Sequence, residues 1–316
     1  MRDHTGGGRG GRRGDTFRSV VLTGAARGLG AALASRFAAE PGARLLLLDR
    51  DAAALAGVAA ACHRGGQATE VRTAALDVRD AAAMGAALRA FDAEAPVDLA
   101  VSNAAVAHGT RPDGTPETAR EAAECVAVNL IGAMNLAGPL LDGLRARGGR
   151  LGLVASLVAF RGLPDSPGYC ASKAGLWAWG EALRASGLRV TLVAPGPFDS
   201  AMGRRFVGPG SGAGSRLGVE AAAGRVERAL RRGDAECAFP LSLALPLRAM
   251  RLLPPRLADR LLALRRFGVR PEEGGASPAA APGATDGRDP ARDGADLEAA
   301  GAVEAAGAAV SRPRGR

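Results

Sequence analysis

Arg18-Ser19-Val20-Val21-Leu22-Thr23-Gly24-Ala25-Ala26-Arg27-Gly28-Leu29-Gly30 is the stretch that decides the fold. Its first six residues read as a short buried strand, and the Ala/Leu-rich run to about residue 40 reads as a helix. Gly24, Gly28 and Gly30 lie between them. Strand, glycine turn and helix together make a phosphate site. Glycines let the backbone approach the anion, and the helix N-terminus offers free N–H groups and a positive dipole end. The spacing is GxxxGxG; a plain strand–helix turn is the bland alternative, and the flanking strand and helix are the context that argues against it.

Working outward, a second apolar run over 43–48 ends in a carboxylate, Asp49, 19 residues after Gly30. An acid at about that distance suits an adenosine ribose 2′-hydroxyl and repels a 2′-phosphate, which favours NAD(H). Arg50 follows at once and Arg27 sits in the glycine turn; either could accept a 2′-phosphate, so NADP(H) stays open. Further strands are expected over 70–76, 97–101, 150–155, 188–194 and 235–239, with helices over 52–62, 80–94, 117–147 and 219–231 between them. That alternation predicts an α/β, Rossmann-like, doubly wound parallel sheet of about seven strands with helices on both faces. Ligands then bind at the C-terminal strand edge, where Gly24, Asp49, Asp77 and Asn103 fall.

Tyr169 is the only tyrosine of the 316 residues, and Lys173 is the only lysine. Four residues apart on a predicted helix, they share one face. A phenol titrates near pH ~10, and a neighbouring ammonium favours the phenolate. A tyrosine tuned in this way can give or take the proton of an alcohol or carbonyl. The bland alternative is an ordinary helix with a partly buried Tyr and a solvated Lys. Asn129 stands in the middle of the predicted 117–147 helix. Asn is a poor helix former, so its presence there needs a reason.

Composition excludes other classes. The formal charge is +9, but no basic stripe interleaved with aromatics is present, so nucleic acid is not expected. Cys62, Cys125, Cys170 and Cys237 are scattered without CxxC pairing, and with His4, His63 and His108 they form no metal pattern. The thiols read as small buried hydrophobes of a reducing compartment, hence a cytoplasmic expectation. No signal-type apolar stretch opens the chain and no uninterrupted apolar run approaches ~18 residues, so no transmembrane helix is expected.

Taken in order, Thr23-Gly24-Ala25-Ala26-Arg27-Gly28-Leu29-Gly30, Asp77-Val78, Ser102-Asn103-Ala104-Ala105, Asn129, Ser156, Tyr169-Cys170-Ala171-Ser172-Lys173 and Pro195-Gly196 resemble the short-chain dehydrogenase/reductase family, over roughly residues 17–200 and more weakly to about 240. The resemblance implies that Tyr169 is the general acid in reduction and the base in oxidation. Lys173 would lower its pKa and bind the nicotinamide ribose, Ser156 would hold the substrate oxygen, and Asn129 would fix a water linking Lys173 to solvent. It also implies a dinucleotide site of Thr23, Gly24, Arg27, Gly28, Leu29, Gly30, Asp49, Arg50, Asp77, Val78, Asn103, Ala104, Lys173, Pro195, Gly196 and Ser200, and a homodimer or homotetramer. Two departures stand out: Ala105 replaces a customary Gly, and Ser200 stands where a Thr often contacts the carboxamide. The short connection from Glu181 to Leu188 is expected to end the catalytic helix early.

The outer segments complete the expectation. Residues 1–16 read as a disordered Gly/Arg-rich arm, 17–240 as the catalytic domain, 200–218 as a mobile lid, 241–270 as a basic amphipathic helical extension and 271–316 as a disordered tail. Arg204 and Arg205 could greet an anionic substrate from the lid. Residues 241–270 carry seven Arg against one Asp, net +6. Packing of this extension on its own domain or a second subunit is set ahead of peripheral membrane contact. The functional expectation is an NAD(P)-dependent oxidoreductase acting on a small-molecule secondary alcohol or carbonyl. The alternative is a sensor or scaffold that binds the dinucleotide without turnover.

Overall fold

A computed structural model describes residues 15–65, 67–68, 70–207, 217–264 and 268–271. In chain order the elements are β1 (Ser19–Thr23), α1 (Gly28–Ala38), β2 (Arg44–Asp49), α2 (Ala52–Gly65), β3 (Glu70–Ala75), α3 (Ala81–Glu94) and β4 (Leu99–Ser102). There follow α4 (Ala119–Val126), a π-helical turn (Ala127–Ile131), α5 (Gly132–Ala137), α6 (Leu141–Arg147), β5 (Arg150–Val154), α7 (Pro167–Ala185) and β6 (Arg189–Pro195). The chain goes on through β7 (Phe198–Asp199), α8 (Ala201–Arg205), β8 (Phe206–Val207), β9 (Leu217–Gly218), α9 (Val219–Arg232), β10 (Glu236–Phe239), α10 (Leu241–Ala249), α11 (Pro255–Ala263) and β11 (Gly268–Val269).

Seven of these strands form one sheet in the order β10-β6-β5-β4-β1-β2-β3, and every pairing in it is parallel. This is the doubly wound order expected from strand–helix alternation, with the chain reversing direction at β1 and β4. Side chains alternate across each strand, so β1 sends Val21 into one helical layer and Val20 and Leu22 into the other. One core packs α3, α5, α6 and α7 on the sheet through Leu88, Phe91, Leu136, Leu144 and Leu176; the other packs α1 and α9 through Leu33, Phe37, Val226 and Leu230. Burying each such side chain stabilises the fold by about 1.5–3 kcal/mol.

The structure corrects several boundaries. Residues 1–14 of the expected arm lie outside the described residues, but Asp15 is an anchor. Its N–H donates to the Arg231 carbonyl at 2.7 Å, and its carboxylate takes Arg150 at 2.8 Å and Arg189 at 2.5 Å. Helix α7 does not end early; it runs 19 residues to Ala185. The expected 117–147 helix is broken by the π turn at Ala127–Ile131 and a 3-10 turn at Gly138–Leu140. The whole span Ala119–Arg147 is nonetheless long and apolar enough to cross a membrane by length and composition; here Ala133, Leu136 and Ala137 sit in the sheet-side core.

The extension is two short helices, not one. Pro246 sits inside α10, and Pro254-Pro255 separates it from α11, because a proline has no N–H to continue a helix ladder. Packing on its own domain, the expectation set first, accounts for Ala244, Leu247 and Ala258 but leaves the large leucines outside. Residues 208–216 of the expected lid and 272–316 of the tail lie outside the described residues. The flanks of the lid are ordered as α8, β8 and β9.

Candidate active site

The glycine turn is held by geometry that only glycine meets. Gly24 and Gly28 have φ of +65° and +53°, in the left-handed region. A Cβ on Gly30 would stand 1.9 Å from the Gly24 carbonyl oxygen, and one on Gly24 would stand 2.7 Å from Ala104 Cα. The turn is also clipped from both sides. Asn103 Nδ2 donates to the Gly24 carbonyl at 3.0 Å, and Thr23 Oγ1 accepts the backbone N–H groups of Asn103 and Ala104 at 3.1 and 3.2 Å. Asp49 Oδ2 accepts the Ala26 N–H at 3.0 Å and its Oδ1 that of Asp51 at 3.1 Å. The first turn of α1 carries no acid, and its Arg27 cap makes no side-chain cap bond, so N–H groups remain for an anion. An uncapped 11-residue helix behind a turn where a Cβ would clash fits the pyrophosphate of a dinucleotide.

Not every expected cofactor residue joins this cradle through its side chain. Leu29 is buried in the α1 core. Arg27 reaches Asp51 at 3.7 Å. Asp77 is held by Arg79 at 2.5 Å, and that guanidinium, with a smaller contribution from Arg50, keeps its carboxyl below the usual range. Val78 is buried against Gly132, where a Cβ would come within 2.5 Å of it. Gly196 is fixed by its N–H donating to Phe239 at 2.6 Å. Ser200 caps α8, its Oγ accepting the Gly203 N–H at 3.0 Å, and its Cβ faces Gly28 across the turn.

The second cluster lies where β5, β6 and α7 meet. Tyr169 and Lys173, one helical turn apart, are both buried, and the ammonium stands 5.9 Å from the phenol ring centre. Ser156, just past β5, is also buried; its hydroxyl lies 3.4 Å from the Pro195 carbonyl and close enough to the Tyr169 phenol to pull its pKa down. Lys173 Nζ donates to the Val154 carbonyl at 2.8 Å. Burial decides both pKa values. It raises the phenol of Tyr169, outweighing the lowering by nearby Ser156, and it lowers the ammonium of Lys173 to about 7. The expected lowering of Tyr169 by Lys173 is therefore overturned in this state. Desolvation raises the phenol more than its neighbours lower it.

Asn129 has its reason in the π turn, a distortion frequent at functional sites. Its Oδ1 accepts the Val106 N–H at 2.8 Å, and its Nδ2 donates to the Val106 carbonyl and to Ser172 Oγ, each at 2.9 Å. Ser172 Oγ in turn donates to the Tyr169 carbonyl at 2.8 Å. The amide thus ties the β4–α4 loop to α7.

Sequence reading assigned nothing to Ser172, Glu117 or Phe206. Glu117 Oε2 accepts the Gly168 N–H at 2.7 Å, placing a carboxylate at the N-terminus of α7, where the dipole favours it. The Phe206 ring lies 6.1 Å from that of Tyr169. The only available signal was Ser172, three residues after Tyr169 on the same helix face. Arg204 and Arg205, expected to meet an anionic substrate, are engaged: Arg204 with Asp199 at 2.7 Å, Arg205 with the Ala107 and Arg270 carbonyls at 3.0 and 2.7 Å. Among the described residues no cluster of three or more His, Cys, Asp or Glu could hold a metal, and Cys62, Cys125, Cys170 and Cys237 are free thiols.

A doubly wound parallel sheet, a glycine cradle at its strand ends and a buried Ser–Tyr–Lys group beside that cradle define a Rossmann-type oxidoreductase. The profile of the short chain dehydrogenase family matches residues 18–207, and the chain belongs to that family. It is similar to an uncharacterized oxidoreductase of Myxococcus xanthus, 34% identical over 254 residues, which span 77% of this chain and 96% of that protein. Among solved structures it resembles a short chain dehydrogenase of Burkholderia cenocepacia in complex with NADP. That match has a TM-score of 0.64 and 25% identity, covering 78% of this chain and 98% of the other. It also resembles an alcohol dehydrogenase of the archaeon Thermococcus sibiricus complexed with 5-hydroxy-NADP, with a TM-score of 0.60 and 26% identity, covering 70% and 94%.

Proposed function

We propose that the chain is an NAD(P)-dependent oxidoreductase that interconverts a secondary alcohol and a ketone, or a primary alcohol and an aldehyde, with Tyr169 as general acid and base. The carrying observation is the burial of the chain's sole tyrosine and sole lysine together, with the buried Ser156 hydroxyl beside the phenol. Tyr169, its pKa raised, is protonated at neutral pH and suited to give its proton to a carbonyl oxygen being reduced; in the reverse direction it takes the alcohol proton. Ser156 holds that oxygen in line with the phenol. Lys173, at about 7, gains charge readily and then favours the phenolate. Asn129 and Ser172 keep α7 in register with the loop after β4. The nicotinamide, when bound, supplies or takes the hydride.

Thr23, Gly24, Gly28, Gly30 and Asn103 hold the dinucleotide in this reading, with Lys173 toward its nicotinamide ribose. NAD(H) is preferred, because the Asp49 carboxylate at the end of β2 would repel a 2′-phosphate. Arg27, Arg50 and the two NADP-bearing structural neighbours support NADP(H) instead. Titration with NADH and NADPH separates the two, and Asp49→Ala should shift preference toward NADPH if the carboxylate decides. Its free thiols support a reducing compartment, read here as the cytoplasm. A homodimer or homotetramer is expected in this reading, and Ile131, exposed on the helical span Ala119–Arg147, is a candidate contact; light scattering on Ile131→Arg tests it.

The deciding experiment pairs dinucleotide titration with turnover over a panel of ketones and secondary alcohols, for the native chain and Tyr169→Phe. Turnover by the native chain alone, with cofactor bound by both, supports the assignment. Cofactor binding with equal turnover in both removes Tyr169 from the mechanism. Binding with no turnover in either favours a sensor or scaffold, and failure of both dinucleotides to bind overturns the glycine-cradle reading.

A further inference from the structure

Among the described residues, every exposed large hydrophobic side chain except Ile131 lies within residues 241–264. Leu252 is 88% exposed, Leu264 78%, Leu241 62% and Leu245 60%. Scattered surface leucines are ordinary, but a run of this kind marks a surface that meets something apolar. The run is not loose. Arg251 donates to the Phe160 carbonyl at 2.5 Å, Arg248 stacks 4.2 Å over the Phe160 ring, and Asp259 pairs with Arg161 at 2.6 Å. Ala244 and Ala258 face inward and are buried. The small side of each helix is thereby fastened to the domain, and the leucine side is held outward.

Helix α11 sets Leu257 and Leu261 one turn apart on one face, with Leu264 just past its end on the same stripe. Arg256 and Arg260, both exposed, run beside that stripe. An apolar stripe edged by arginines suits a helix lying in the plane of a bilayer, where acyl chains receive the leucines and anionic headgroups meet the arginines. A second copy of the chain suits the surface less well. A two-fold contact sets the patch against itself, so Arg256 and Arg260 would meet leucines or arginines and no unpaired acid across it. The only acid in residues 241–264, Asp259, is already paired with Arg161. The formal charge of the whole chain, +9, has the same sign.

We propose that the outward face of α10 and α11 is a docking surface for an anionic lipid bilayer, holding the domain peripherally with Leu252, Leu257, Leu261 and Leu264 in the headgroup–acyl boundary. The test is co-sedimentation of the full chain with phosphatidylcholine vesicles and with vesicles containing about 30% phosphatidylglycerol, a composition that supplies anionic charge without other recognition. The native chain should sediment with the anionic vesicles and stay largely in solution with the neutral ones. L257S/L261S/L264S keeps every arginine and should lose sedimentation; R256E/R260E keeps every leucine and should weaken it at least about tenfold. Thermal melting controls for folding, and the arginine pair decides if the leucine triple melts early. Equal sedimentation of native chain and both variants, or none by the native chain, overturns the proposal. So does a leucine triple that leaves vesicle binding intact but breaks self-association in sedimentation velocity without lipid, which would make the face a contact between copies.

Discussion

Helix α7 and the pair α10–α11 break the rules of burial in opposite senses. α7 buries a tyrosine, a lysine and a serine; α10–α11 turns leucines to solvent and keeps alanines inside. Interior polar groups are expensive unless bonded: Lys173 donates to Val154, Ser172 is held by Asn129, and Tyr169 has the Ser156 hydroxyl beside its phenol. Among the described residues the exposed leucines have no such compensation. A sequence that departs from its own folding rules does so where function demands it. The first region is complete in itself, and the second waits for a surface supplied from outside.

The comparison breaks most sharply at Tyr169. Tyr169→Phe keeps the buried ring and its contact with Phe206 but removes the phenol hydroxyl. Steady-state kinetics should show kcat/KM lower by about 10²–10⁴-fold with dinucleotide affinity unchanged. A loss under threefold would mean that another group carries the proton. Gly30→Ala comes next: its Cβ would stand 1.9 Å from the Gly24 carbonyl oxygen. Denaturant melts should show a loss of roughly 3 kcal/mol or more, with dinucleotide binding abolished. Gly57→Ala is the control. Nothing lies within 4 Å of its Cβ position, and a mid-helix Gly-to-Ala change should stabilise by about 0.5–1 kcal/mol.

The sheet was legible because its strands are apolar runs closed by Gly, Asp, Asn or Ser, and parallel strands buried on both faces read that way. The cradle was legible because glycines with forbidden Cβ positions cannot be replaced quietly. The pairing of Tyr169 with Lys173 was legible from helical spacing; the direction of its pKa shifts was not. Spacing along a helix reveals which charge is near, whereas desolvation depends on β5 and β6 closing over the pair. Asn129 announced an irregularity but not its partner, since Val106 lies 23 residues away on another loop. Asp15 looked like part of a solvated arm because Arg150 and Arg189 are distant in sequence. In the extension, the charge and the leucines were visible. The prolines that split it were visible too, but which face turns outward depended on Arg161, which pairs with Asp259, and on Phe160 and Trp177, which lie beneath Arg248.

A smaller effect separates the buried pair from the exposed patch by pH. The ammonium of Lys173 is pushed from 10.5 to about 7 by burial. Between those values the unfolded chain binds more protons than the folded one, so this residue makes stability rise with pH from about 7 toward 10. Tyr169 works the other way above pH 10, because its raised pKa keeps the proton in the folded state while the unfolded phenol loses it. Lys173→Met removes the first contribution. Melting curves across pH 6–10 should show a flatter rise for the variant and a higher Tm at pH 6; each 1 kcal/mol gained appears as about 2–4 °C in a domain of this size. An unchanged slope would mean that the lysine is solvated or charged in the folded protein. Arg256→Gln, on the exposed patch, should leave the curve where it is.

The smallest effect is the one that defines the patch. Leu257→Ser removes an apolar side chain that is 46% exposed, so burial of its other half contributes only about 1 kcal/mol to folding. Thermal melts should place the variant within about 1 kcal/mol of the native chain. Leu22→Ala, in β1 with no exposed surface, should lose about 2–5 kcal/mol by the same measurement, since it leaves a cavity that the close-packed sheet cannot collapse. If Leu257→Ser proved as damaging as Leu22→Ala, α11 would have to be packed against something in the free protein, a second copy being the nearest candidate. A near-silent Leu257→Ser leaves the leucine face contributing little to the fold that carries it, and the reason for its composition must then lie in what it touches.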